Sequence, residues 1–97
     1  MSPLVRARLA ELGIEALAEA KECILFGRGP CVAMSHGASP GSSGYMTGGE
    51  VAYLVWREGR PWLVSKGRQV AAEPAQVEEI QKFSEDLKRA LGAGEEC

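Results

Sequence analysis

Two runs of strand-type residues, 50–57 and 61–66, meet at Glu58-Gly59, and this pair constrains the fold more than any other part of the chain. An acidic residue followed by glycine is related to the Asp-Gly pair that closes two-residue β-hairpins. With Glu58 and Gly59 as the loop, Arg57 faces Arg60, Val55 faces Trp62, and Tyr53 faces Val64. One face of the hairpin then carries Val51, Tyr53, Val55, Trp62 and Val64, with Arg57, Arg60 and Lys66 at its margins. The other carries Ala52, Leu54, Trp56, Pro61 and Leu63. Both faces are apolar, so both call for a cover. Pro61 cannot donate to a ladder, which puts its strand at an edge or turns that position outward. Residues 68–72 are expected to prolong the second strand past Gly67 through a bulge.

The remaining elements follow from period and punctuation. Ser2-Pro3 reads as a helix start, with Ser as the cap and Pro at the first helical position, where a missing N–H costs nothing. Leu4, Val5, Leu9 and Leu12 recur at helical spacing, and Gly13 can end that helix. Residues 14–22, rich in Ala and Glu, read as further helix. Residues 23–26 and 31–34 are short apolar runs around Gly27-Arg28-Gly29-Pro30 and read as a hairpin. A last helix runs from Pro74 to about Gly92, with Val77, Ile80, Phe83, Leu87 and Leu91 in one stripe. Glu78, Glu79, Glu85, Asp86 and Lys88 are assigned to its solvated side, where Glu78–Lys82 and Glu85–Arg89 are spaced to pair.

The order is helix, hairpin, loop, hairpin, helix. It predicts an α+β fold: an antiparallel sheet of four or five strands made from two β-hairpins, with N- and C-terminal helices packed on one face. Residues 1–92 form a single domain and 93–97 a frayed tail. Helices on one side leave the second apolar face bare. A homodimer that packs sheet on sheet, or extends the sheet edge to edge, is the simplest answer, with Leu54, Trp56 and Leu63 as its expected interface residues.

Composition narrows the function classes. The chain has 97 residues and a net charge of −2, an overall acidity that argues against a nucleic-acid partner. No apolar run approaches the ~18 residues of a membrane span, and Met1-Ser2-Pro3-Leu4 is no secretory leader, so a cytoplasmic location is expected. Cys23, Cys31 and Cys97 form no CxxC pair and have no histidine at ligand spacing, so neither a metal site nor a disulfide framework is expected, and the first two read as small buried residues. The chain lacks Asn and holds twelve Glu and seven Arg, a thermophile-like balance that a GC-rich genome produces equally well.

Chemistry, if any, belongs in residues 35–50, which hold five glycines, four serines and His36, the only histidine. A segment this long without a strand or helix pattern is uncommon in a compact domain. Glycine N–H groups and hydroxyls could converge on an anion, with Ser35, His36, Ser39, Ser42 and Ser43 as candidate ligands and Arg57 and Arg60 as candidate counter-charges. Neither GxxxxGK[ST] nor GxGxxG nor GxSxG is present, and no base and orienting group accompany a serine, so no catalytic residue is assigned. Tyr45-Met46-Thr47 can instead turn through Gly48-Gly49 into the strand from Glu50. Residues 51–70 carry a local charge of +3 with Tyr53 and Trp62 interleaved, a pattern able to clamp single strands. The valines beside them make that face too dry for such a use.

The sequence thus points first to a non-enzymatic, self-associating interaction module with a protein partner, without cofactor or metal. The alternative is a binder of a small anionic ligand at residues 35–50. Nucleic-acid binding through the basic hairpin 57–68 ranks last.

Overall fold

The computed structural model describes residues 2–21, 23–36, 39–47 and 49–92. The tail 93–97 lies outside the described residues. Helix α1 (Pro3–Glu11) is followed by seven strands, β1 (Glu15–Glu19), β2 (Cys23–Arg28), β3 (Cys31–His36), β4 (Ser39–Thr47), β5 (Glu50–Arg57), β6 (Arg60–Ser65) and β7 (Arg68–Ala71). Helix α2 (Pro74–Gly92) closes the chain. Each strand pairs antiparallel with the next, giving one sheet in the order β1-β2-β3-β4-β5-β6-β7. The α+β class stands. The expected four or five strands are corrected to seven, and each added strand has its own physical reason.

Ser2 caps α1, its Oγ accepting from Val5 N at 3.2 Å. Gly13, at φ 71°, ends the helical segment and reverses the chain, and Ile14 drops into the core at 4% exposure. The next residues form strand β1 and not the expected helix of 14–22. All five are exposed, so a helix there would bury no apolar stripe. Pairing with β2 satisfies the backbone instead, with a register shift between Ala16 and Ala18. Tertiary pairing overrides Ala and Glu propensity here.

The glycine- and serine-rich segment is strand β4 and not a loop. Cys31 pairs with Tyr45, Val32 with Gly44 and Ala33 with Ser43 on one side, and Gly44 pairs with Tyr53 on the other. Two flanking strands supply a ladder that the side chains do not advertise. The third hairpin forms as the spacing predicts, with Thr47 opposite Glu50 and Gly49 at φ 84°. Beyond β6 the chain does not bulge onward. Lys66-Gly67 is a turn, with Gly67 at φ 67°, and 68–71 returns as a separate edge strand pairing Leu63 with Val70.

The β5–β6 hairpin keeps the register read from sequence: Tyr53 with Val64, Val55 with Trp62, Arg57 with Arg60. Glu58 and Gly59 sit at φ 52° and 75°, the double left-handed geometry of a type I′ turn.

Both helices take part in a core on one face of the sheet. Val5 and Leu9 of α1 and Ile80, Phe83, Leu87, Ala90 and Leu91 of α2 meet Phe26, Cys31, Ala33, Tyr45, Ala52 and Leu63 of the strands. Phe83 and Leu87 are fully buried, and each such side chain contributes roughly 1.5–3 kcal/mol. Leu4 stays 55% exposed despite its helical spacing.

One polar side chain ties this layer together. Arg28, at the end of β2, donates through Nη1 to Asp86 Oδ2 of α2 at 2.9 Å and to the Leu12 carbonyl beyond α1 at 3.1 Å. Its guanidinium carbon lies 5.5 Å from the Phe83 ring centre, within cation–π range. Asp86 is therefore corrected from the solvated side to the core margin, at 9% exposure. Phe83, Asp86 and Ala90 follow one another at steps of three and four, which brings Asp86 to the edge of the apolar stripe. The expected Glu78–Lys82 and Glu85–Arg89 pairs are not formed among the described residues.

Two substitutions test this description by denaturant unfolding. Asp86→Ala leaves Arg28 without its anion and lowers stability by about 2–3 kcal/mol, and Arg28→Met combined with Asp86→Leu recovers part of that loss. In Gly44→Ala the new Cβ collides with the Ala52 carbonyl oxygen and comes within 2.8 Å of Tyr53 Cα. The obstacle is backbone, so the expected cost is about 2–4 kcal/mol. A Gly44→Ala protein as stable as the parent contradicts the strand crossing described.

Candidate functional site

The residues expected to gather around an anion do not share a face. Register places Ser35 and Ser43 on the helix side, with Ile24, Ala33 and Tyr45. Ser35 is fully buried, its Oγ without a partner among the described residues, and Ser43 is half-buried. Arg57 and Arg60 face each other on the opposite side, and Arg57 Nη1 donates to Gln69 Oε1. His36 and Ser39 pair across the β3–β4 end, and Ser42 lies within β4; the side chains of all three lie outside the described residues. Of the glycines expected to cradle an anion, Gly44 belongs to a strand paired on both sides, with Val32 and with Tyr53.

The expected interface residues are also distributed unexpectedly. Leu63 is a core residue at 7% exposure, and Leu54 packs against the core. Both face the helices, as does Trp56 by alternation, although Trp56 is 52% exposed.

Sequence reading missed one polar cluster under α2. The Tyr45 hydroxyl donates to Glu79 Oε2, and Cys31, 1% exposed, is the cross-strand partner of Tyr45. The hydrogen bond to Glu79, with burial behind it, pushes the Tyr45 phenol up to about 12. Burial, and then the Glu79 charge, push the Cys31 thiol up to about 11, partly offset by Arg28. A thiol held protonated is a poor nucleophile, so this cluster is built for packing. The available signal was Glu79 beside Ile80 in the stripe, one step from the buried side. Among the described residues, no three His, Cys, Asp or Glu side chains converge on a metal position. No described helix is long and apolar enough to cross a membrane.

The largest uncommitted feature is the sheet face away from the helices. Alternation from the printed pairs puts Leu25, Val32, Met34, Met46, Val51, Tyr53, Val55, Trp62 and Val64 on it. Leu17 of β1 joins them, its Cδ1 filling the space above Gly27. Val32 is 2% exposed yet lies outside the core cluster, because it sits on this side of the sheet. Most of the others are half-buried, while Met46 and Leu17 are 37% and 49% exposed. Charge is sparse: Arg57 and Arg60 at one end, and Glu15, paired with Gly27, on the far edge strand.

The face spans six strands, so it measures about 24 Å from β1 to β6 at ~4.8 Å per spacing. Comparison with protein-family models, with curated proteins and with solved structures finds no match to this chain.

The Tyr45–Cys31 cluster makes stability fall in alkali. Below pH 9 both groups keep their protons whether folded or unfolded; above it, the unfolded chain ionises first. The stabilisation is lost as pH rises through the folded values near 11 and 12. Melting temperature should decline steeply across this window. Tyr45→Phe should flatten the portion above pH 10, at a cost of about 1 kcal/mol near neutrality. An identical alkaline decline in Tyr45→Phe argues against the assignment.

Proposed function

We propose that this chain is a self-associating interaction module, and that its dimer forms by packing the open sheet face onto the same face of a second copy. The observation that carries the reading is the uncovered apolar face running from Leu17 on β1 to Trp62 and Val64 on β6. Single exposed apolar residues need no explanation, but a contiguous patch of this size does.

Three features favour a second copy as the cover. A domain of 97 residues buries only about 60–65% of its unfolded surface, so its own core is thin and self-association adds to it. A stable partner buries about 800 Å² per side, and the residues of this face lie side by side on six adjacent strands. An isologous contact brings a face against itself, which like charges would oppose, and this face is nearly free of charge. Edge-to-edge growth is less favoured. Strand β1 has an irregular register and carries Glu15 and Glu19, and β7 is only four residues long.

The basic-hairpin reading loses support because its cations divide. Arg57 and Arg60 lie on the open side, whereas Arg68, opposite Ser65, lies on the helix side.

Sedimentation or light scattering of the untagged protein should give twice the 10.4 kDa chain mass. Val55→Glu and Trp62→Glu should each yield a monomer with the parent's helical circular dichroism. A monomeric parent protein overturns the reading, and so does a Trp62→Glu protein that remains a dimer of parental stability.

A further inference from the structure

A cleft of about 500 Å³ opens on the helix side of the sheet, between the first turn of α2 and the ends of β5, β6 and β7. Its floor is apolar, with Leu63 and Val70, cross-strand partners on β6 and β7. Its rim is polar: Lys66 in the β6–β7 turn, Arg68 at the start of β7, Gln76 on α2 and Glu50 at the start of β5. The β6–β7 turn sets the two cations two residues apart at one end of the floor.

The donors here are not consumed by the fold. Among the described residues, no carboxylate lies within ion-pairing distance of Lys66 or Arg68. Gln76 is oriented by the helix cap, its Oε1 accepting from Glu73 N at 2.9 Å. That bond occupies the carbonyl end of the amide and leaves its NH₂ as a donor at the cleft. Lys66, Arg68 and Gln76 therefore supply three kinds of N–H beside an apolar floor.

We infer that this cleft binds a small monocarboxylate with a short apolar body, its carboxylate on Lys66, Arg68 and Gln76 and its alkyl group over Leu63 and Val70. The charge of the rim selects the class. Two cations against Glu50 leave a net charge of +1, which one carboxylate neutralises. A phosphate carrying two charges would add repulsion from Glu50. The apolar floor gives no reward to a bare inorganic anion, whereas a buried alkyl group gains about 25 cal/mol per Å². The cleft lies on the opposite side of the sheet from the proposed dimer face, so the two assignments stand separately.

The test is an NMR titration of the parent protein with 3-methylbutanoate, with 3-methylbutan-1-ol and inorganic phosphate as comparison probes. The carboxylate should shift the amides of residues 65–68 and 76 saturably. Lys66→Gln with Arg68→Gln should weaken binding about tenfold or more, equivalent to at least about 1.4 kcal/mol. Both side chains are exposed, so this variant should fold as the parent does, which its amide spectrum reports. Gln76→Ala should weaken binding less. No saturable shift, equal binding to the double variant, or equal binding of phosphate or of the alcohol each overturns the inference.

Discussion

Arg28 is the point at which three separate elements are held by one side chain. Its guanidinium reaches Asp86 on α2 and the Leu12 carbonyl after α1 from its own place at the end of β2, and it faces the Phe83 ring. The pair is partly buried, with side-chain exposures of 28% and 12%, so it retains some hydration and is less costly than a fully enclosed one. Its geometric effect exceeds its net energy. It sets where α2 crosses the sheet, and the stripe from Val77 to Leu91 then falls on the same side as Phe26, Ala33 and Ala52.

That placement decides which sheet face is finished. One long and one short helix can roof one side of seven strands and no more. The roofed side holds two polar contacts to α2, Tyr45 with Glu79 and Arg28 with Asp86. The other side is left as a broad hydrocarbon surface with charges only near its corners. A fold so arranged offers surfaces for contact and a cleft at the rim of its roof. This is why association and small-ligand binding, and no catalytic step, are the functions proposed.

The parts legible in the sequence were those where side chains carry the signal. The Glu58-Gly59 turn and its register, the Ser2-Pro3 start and the α2 stripe all announce themselves through residue type and spacing. Strand β1 and the first part of β4 are illegible for the opposite reason, and β7 reads as strand without showing that the chain turns back before it. Their pairing is done by backbone groups, and the side chains of β1 and β7 are exposed. The candidate site suffered from the same gap. A glycine- and serine-rich segment reads as a ligand loop, whereas its far half is a strand paired with two neighbours. The cations at the cleft were visible as charge, but Gln76 and Glu50 belong to distant segments and nothing local links them.

Residue type and spacing are enough for helices α1 and α2, for the central hairpin and for its two apolar faces. Local sterics and short-range periodicity suffice for each of these. The number of strands, the buried setting of Asp86 and the face on which Leu54 and Leu63 lie emerge at the level of tertiary contacts. Those outcomes depend on contacts between residues far apart in the chain, such as Arg28 and Asp86, whose energies no local pattern records.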